Sequence, residues 1–132
     1  LCVRSTSTKM GCAVLRHFAA RNVPCLNDER SFLQARDKWQ SLQILAQAGI
    51  AIPNTVLLGS EFQPQDGVAQ VKSPTILKTL SGSQGIGVIL AERTQSAVSI
   101  LETLKQANIP VLLQDFIEEA QGSDLRCFVI GV

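Results

Sequence analysis

Tyrosine is absent from this chain of 132 residues, and histidine, methionine and tryptophan occur once each. Five phenylalanines and one tryptophan leave little for a platform on which nucleic-acid bases could stack. A surplus of positive charge is missing as well: twelve Lys and Arg against eleven Asp and Glu give a net charge of +1. No run of basic residues forms a local patch, so no nucleic-acid partner is expected. No stretch approaches the ~18 apolar residues of a membrane span, and the N-terminus has no signal-peptide core, so no membrane association is expected. The four cysteines, Cys2, Cys12, Cys25 and Cys127, contain no C-x-x-C pair, and His17 alone cannot complete a zinc site. Reduced thiols in a cytoplasmic protein are the default reading.

What is present suits a folded domain. The chain is 45% hydrophobic and 17% charged, and is long enough to bury roughly two-thirds of its unfolded surface. It begins at Leu1 and ends at Gly131-Val132, just after an apolar run, and is read as a piece of a longer protein. There is no internal repeat and no low-complexity tract. Residues 9–22 are predicted as a short helix with an apolar stripe at Cys12, Leu15 and Phe18 and a stop at Asn22. His17 lies in it without a carboxylate or thiol neighbour, which argues against a catalytic role. A second helical region covers about 29–48, with Phe32, Ala35, Trp39, Leu42 and Leu45 expected to face inward and Gly49 as its stop. Within it, Arg36-Asp37-Lys38 reads as a fresh helix start capped by Asp37. Lys38 taken alone is an ordinary solvated helix lysine.

Beyond Pro53 the pattern changes to short strands and helices. Strands are predicted at 55–58, 75–80, 88–90, 111–117 and 124–130, a helix at 95–107 with Val98, Leu101 and Leu104 inward, and a weak helix or loop at 61–72. Mixed elements around a strand–loop–strand unit indicate an α/β or α+β layered sheet.

Chemistry concentrates in Lys78-Thr79-Leu80-Ser81-Gly82-Ser83-Gln84-Gly85-Ile86-Gly87. A lysine on an apolar strand face, followed by a glycine-rich loop, suits a phosphate clamp: loop N–H groups close over phosphates while the ammonium supplies charge. The glycine spacing is not that of a Walker loop, which ends in Gly-Lys-Ser/Thr, nor of the dinucleotide G-x-G-x-x-G turn, and a strand follows where both motifs need a helix. Lys78 shares a strand face with Ile76 and Leu80, a costly place for a cation unless an anion meets it. The alternative is a gatekeeper lysine on an edge strand. Downstream, Gln114-Asp115-Phe116-Ile117 leaves a buried strand and enters an acidic loop ending at Asp124. That exit can offer backbone groups to an adenine edge and an acid to ribose hydroxyls; a solvated acidic loop, or an Asp124–Arg126 salt bridge, accounts for it equally.

Together, Ala35-Arg36-Asp37-Lys38, Gly49-Ile50-Ala51-Ile52-Pro53-Asn54-Thr55, Ile76-Leu77-Lys78, Gly82-Ser83-Gln84-Gly85-Ile86-Gly87-Val88, Leu113-Gln114-Asp115-Phe116-Ile117 and Ser123-Asp124-Leu125-Arg126 resemble the ATP-grasp superfamily, and within it the RimK-type amino-acid ligases. The resemblance runs from about residue 12 to the end, and the ordered set is far more specific than any single motif. It implies the tail of a pre-ATP-grasp domain over 1–28, the first ATP-grasp subdomain with its linker helix over 29–123, and the first strand of a second subdomain over 124–132. By the same resemblance, Lys38 and Lys78 contact the nucleotide phosphates, and Ser81, Gly82, Ser83, Gln84 and Gly85 belong to a flap above them. Gln114, Asp115, Phe116 and Ile117 form the adenine hinge, with the Asp115 carbonyl and Ile117 amide as partners. Asp124 holds the ribose, and Arg126 contacts phosphate or substrate. Asp115 departs from the Glu usual in such relatives; because that contact is through the backbone, little consequence is expected.

The activity so implied is ATP-dependent ligation. The γ-phosphate passes to a carboxylate, and an amine attacks the acylphosphate to form a peptide bond. The expected substrates are ATP, glutamate and the C-terminal tail of a small-subunit ribosomal protein, with Mg²⁺ (or Mn²⁺) neutralising the moving charge and a homo-oligomer in the full-length protein. In such enzymes an Asp and a Glu-x-Asn of the second subdomain hold the metal. No carboxylate here matches that motif, so this chain is expected to contribute no catalytic or metal-binding residue and to be inactive alone. Ligases of lysine biosynthesis or glutathione synthesis remain open alternatives, as does a non-catalytic ATP-binding module.

Overall fold

Helix starts in this chain are set by side chains that satisfy otherwise orphaned backbone N–H groups. In the computed structural model, which describes residues 3, 5, 7–59, 61–80, 86–120, 122–125, 127 and 130, Ser7 caps α1 (Thr8–Ala19) by accepting from the Met10 amide at 3.3 Å. Cys12 and Leu15 are buried on the expected stripe and Phe18 is half-buried. The helix ends three residues before the predicted stop, in a turn that places Asn22 at φ 55°. Asp28 caps α2 (Glu29–Arg36) through the Ser31 amide at 2.7 Å, and Asp37 caps α3 (Lys38–Gln47) through the Gln40 amide at 2.9 Å. The restart at Asp37 is therefore as predicted.

The single inward face expected across 29–48 is not. Phe32, Trp39 and Leu42 are half-buried, but Ala35 and Leu45 are exposed, and α3 buries no residue fully. Asp37 adopts an extended conformation (φ −89°, ψ 105°), which resets the helical phase, so positions on its two sides no longer share a stripe. Gly49 ends α3 at φ 73°, where glycine carries no Cβ penalty.

Four strands follow: β1 (Thr55–Leu58), β2 (Thr75–Thr79), β3 (Val88–Ala91) and β4 (Val111–Asp115). They form one antiparallel sheet in the order β1-β4-β2-β3. The short α4 (Pro64–Val68) and the longer α5 (Thr94–Gln106) pack against it. Leu58, Leu77, Ala91, Val111 and Leu113 meet Ala97 and Leu101 there to form the core, with Val98 and Leu104 half-buried. Gly67 allows α4 to sit close, since a Cβ there would lie 2.8 Å from Leu58 Cδ1 and 3.2 Å from Leu113 Cδ1. Helices on one side of an antiparallel sheet make this an α+β arrangement.

Because side chains alternate along a strand, packing one face against α4 and α5 turns the other face outward. Register places Thr55 opposite Gln114, Ile76 opposite Gln114, Lys78 opposite Leu112 and Lys78 opposite Val88. Thr55, Ile76, Lys78, Val88, Leu112 and Gln114 thus share the face away from the core helices. β4 stops at Asp115, shorter than predicted, and a single 3₁₀ turn, Glu118–Ala120, follows. Of the strand expected at 124–130, residues 126, 128 and 129 lie outside the described residues; residues 124, 125, 127 and 130 carry no strand structure, and Leu125 and Ile130 are exposed. A strand needs a ladder partner, and none pairs with this segment among the described residues.

Candidate functional site

The two candidate phosphate lysines come from different elements. Lys38 opens α3, held there by the Asp37 cap, and its Nζ donates to the carbonyls of Thr79 (3.0 Å) and Leu80 (3.4 Å). Lys78 rises from β2 itself, half-buried, and donates to Gln114 Oε1 at 2.5 Å. No carboxylate partners Lys78 among the described residues. Burial pushes the pKa of Lys78 below the ordinary lysine value, and the charge of Lys38 pushes it further the same way. A cation so placed gains from any anion that reaches it.

The loop after β2 returns through Gly87, whose carbonyl accepts from the Thr79 amide at 2.9 Å. Gly87 has φ 80°, and a Cβ there would collide with the Thr79 hydroxyl, so both conformation and space require glycine. Ser81, Gly82, Ser83, Gln84 and Gly85, read as the flap, lie outside the described residues, as does Arg126.

At the end of β4 the residues divide into anchored and available groups. The Asp115 amide donates to Asn54 O (3.0 Å), and its carboxylate accepts from the Lys72 amide (2.8 Å). The Phe116 amide donates to Pro74 O at 3.3 Å. Ile117 is exposed, and its amide has no hydrogen-bond partner among the described residues. The exit walls a cleft of about 370 Å³ together with Lys72, Pro74, Glu118 and Glu119. Asp124 is exposed, and no hydrogen bond or ion pair joins it to the lysines among the described residues.

Gln114 occupies a different place from the one its motif suggests. Its side chain is 6% exposed and reaches across the sheet, with Nε2 donating to Thr55 Oγ1 at 2.9 Å. The Thr55 hydroxyl in turn donates to Pro53 O at 2.8 Å. Thr55 is the site-facing residue that sequence reasoning missed. Its only local signal is a hydroxyl on the face of β1 opposite the apolar pair Val56 and Leu58. Among the described residues no three His, Cys, Asp or Glu side chains converge where they could hold a metal ion.

The helix-backed antiparallel sheet has counterparts of the same fold among solved structures. D-alanine–D-alanine ligase from Bacillus anthracis, complexed with ATP, matches it in fold with a TM-score of 0.66 at 22% identity, over 80% of this chain and 34% of that one. A RimK domain protein ATP-grasp from Sphaerobacter thermophilus gives a TM-score of 0.66 at 27% identity, over 80% of this chain and 41% of that one. Residues 35–132 match the RimK-like ATP-grasp domain, and the chain belongs to that family. A Pasteurella multocida protein named probable alpha-L-glutamate ligase is 72% identical over 96% of this chain, which spans 41% of that relative. A Histophilus somni protein of the same name is 68% identical over 96% of this chain and 42% of its own length. The chain thus spans about two-fifths of the curated relatives it matches.

Proposed function

We propose that this chain is the nucleotide-binding half of an ATP-dependent carboxylate–amine ligase that adds glutamate to a protein C-terminus, that of a small-subunit ribosomal protein being the acceptor argued from the motif resemblance. The observation that carries the reading is Lys78, half-buried on the sheet face away from α4 and α5, which meets a neutral amide and no carboxylate among the described residues while the charge of Lys38 acts on it. The charge of Lys38 acts against that of Lys78, and an anion at Lys78 offsets that repulsion. A triphosphate supplies that charge. The exposed Ile117 amide offers an N–H of the kind an adenine ring nitrogen accepts from. The names of the relatives from Pasteurella and Histophilus support glutamate as the added amino acid.

In this reading, the lysines position the triphosphate and offset the charge that accumulates as the γ-phosphoryl leaves ADP for a carboxylate oxygen. An amine nitrogen then attacks the acyl carbon. Its bond forms as the bond to phosphate oxygen breaks, releasing inorganic phosphate and a proton. Both substrates would meet this face from the remaining part of the protein, and the chain alone would not turn over. The test uses the full-length protein, ATP, glutamate and a peptide ending in the ribosomal tail. Mass increments of one glutamyl residue, each matched by one ADP, support the reading. ADP formation without glutamate on any peptide would refute the acceptor and leave a different ATP-grasp ligase.

A further inference from the structure

We propose that Thr55 and Gln114 are positioning residues that aim the Lys78 ammonium at a phosphate through a neutral relay, holding the cation in place without cancelling its charge. This rests on the nucleotide-binding reading above and deepens it.

The relay has a direction. Pro53 O can only accept, so the Thr55 hydroxyl at 2.8 Å must donate to it. The remaining lone pairs of Thr55 Oγ1 then accept from Gln114 Nε2 at 2.9 Å. That fixes which end of the amide faces Thr55 and leaves Oε1 towards Lys78 Nζ at 2.5 Å. The amide orientation thus follows from a carbonyl two bonds away in the chain of contacts, with no freedom to flip without breaking both ends.

Register makes the relay possible. Thr55 and Gln114 are directly opposed across β1 and β4, and Lys78 lies diagonally across β4 and β2, within reach of a long side chain. The three sit on the sheet face away from α4 and α5.

The residue type matters as much as the position. A carboxylate at 114 would pair with the half-buried ammonium and satisfy its charge internally, so less would remain for a phosphate. An aliphatic side chain would leave the ammonium without its acceptor. A buried amide anchors the cation and keeps it a cation. Lys38, from α3, is the one charged group acting on Lys78 among the described residues, and it too is positive.

The experiment compares full-length wild type with Gln114→Glu, Thr55→Val and Thr55→Ser, measuring ATP and adenosine affinity by calorimetry, melting temperature, and ATP affinity against pH. Gln114→Glu is expected to melt no lower than wild type, to lose about ten-fold or more in ATP affinity, and to keep its adenosine affinity. Its alkaline limit of ATP binding should move to higher pH, because a carboxylate raises the lysine pKa. Thr55→Val should weaken ATP several-fold, and Thr55→Ser, which retains the hydroxyl, should restore it; this pair carries the test if Gln114→Glu does not fold. Unchanged ATP affinity in Gln114→Glu or in Thr55→Val would overturn the relay while leaving nucleotide binding intact. Equal loss of ATP and adenosine would reduce both residues to structural parts and also overturn it. Failure of wild type to bind ATP would overturn the nucleotide reading, and the relay with it.

Discussion

Replacing Lys78 with methionine separates binding from folding. The side chain is half-buried, its pKa is lowered by burial and by Lys38, and its hydrogen-bond acceptor within the chain is a neutral amide. Removing the charge relieves desolvation and repulsion but leaves Gln114 Oε1 short of a donor, and these effects oppose each other. Net stability should therefore change by no more than about 1 kcal/mol, a few degrees in melting temperature. Binding has no such offset. A hydrogen bond between charged groups contributes about 1.5–3 kcal/mol, so ATP affinity should fall roughly 10- to 150-fold. The pH dependence has a definite sign. With a folded-state pKa below the unfolded value, free Lys78 gives up its proton at lower pH than an ordinary lysine, and phosphate binding must restore it. ATP affinity should hold at neutral pH and decline as pH rises through the depressed value, with proton uptake visible by calorimetry in buffers of different ionisation enthalpy. Stability runs the other way: over the same window the unfolded chain binds more protons, so this group's unfavourable contribution fades as pH rises from the depressed pKa towards 10.5. Lys78→Met should abolish the proton uptake. ATP binding of wild-type strength in Lys78→Met, or a collapse of its fold, would refute the argument.

Other substitutions test how the scaffold holds this site. Asp37→Ala removes the cap at the start of α3 and should cost about 1 kcal/mol of stability; because Lys38 is the next residue, ATP affinity measured by calorimetry should drop with it. Gly87→Ala forces a Cβ at φ 80° against Thr79 and should destabilise by more than about 1 kcal/mol, with hydrogen exchange rising at the Thr79 amide that pairs with Gly87. Gly67→Ala overpacks α4 against Leu58 and Leu113 and should cost about 1–3 kcal/mol in denaturant melts. Since Gly67 lies on the core side of the sheet, the nucleotide affinity of protein that remains folded should be unchanged.

Local chemistry was legible in the sequence where one residue governs its own neighbourhood. Asp37 as a cap, Gly49 as a stop and the apolar runs of β1, β2 and β4 all act within a few positions, so reading along the chain finds them. What escaped depends on pairs far apart in sequence. Thr55 meets Gln114 across 59 positions and Gln114 meets Lys78 across 36, and only strand order brings them together. The hinge motif reads Gln114 as a nucleotide contact, and register lays its side chain across the outward face between Thr55 and Lys78. Helix periodicity failed at 29–48 for a related reason: a correct cap at Asp37 implies a phase break, and a stripe drawn through the break has no single face to occupy.

Opposite the α4–α5 side, Val88 stands beside Lys78, Leu90 beside Ile76, and Leu57 beside Leu112. Leu57, Val88 and Leu90 are 38%, 42% and 46% exposed. A sheet face meant only for water would alternate apolar-in with polar-out; this one keeps apolar side chains outward and sets one half-buried cation among them. A free anion would gain from Lys78 but waste the apolar surface, and an apolar partner alone would bury the ammonium uncompensated. The occupant that satisfies both is an anion carried on an apolar, hydrogen-bonding body. That combination supports the nucleotide proposed for Lys78 over the gatekeeper role equally open from its strand alone.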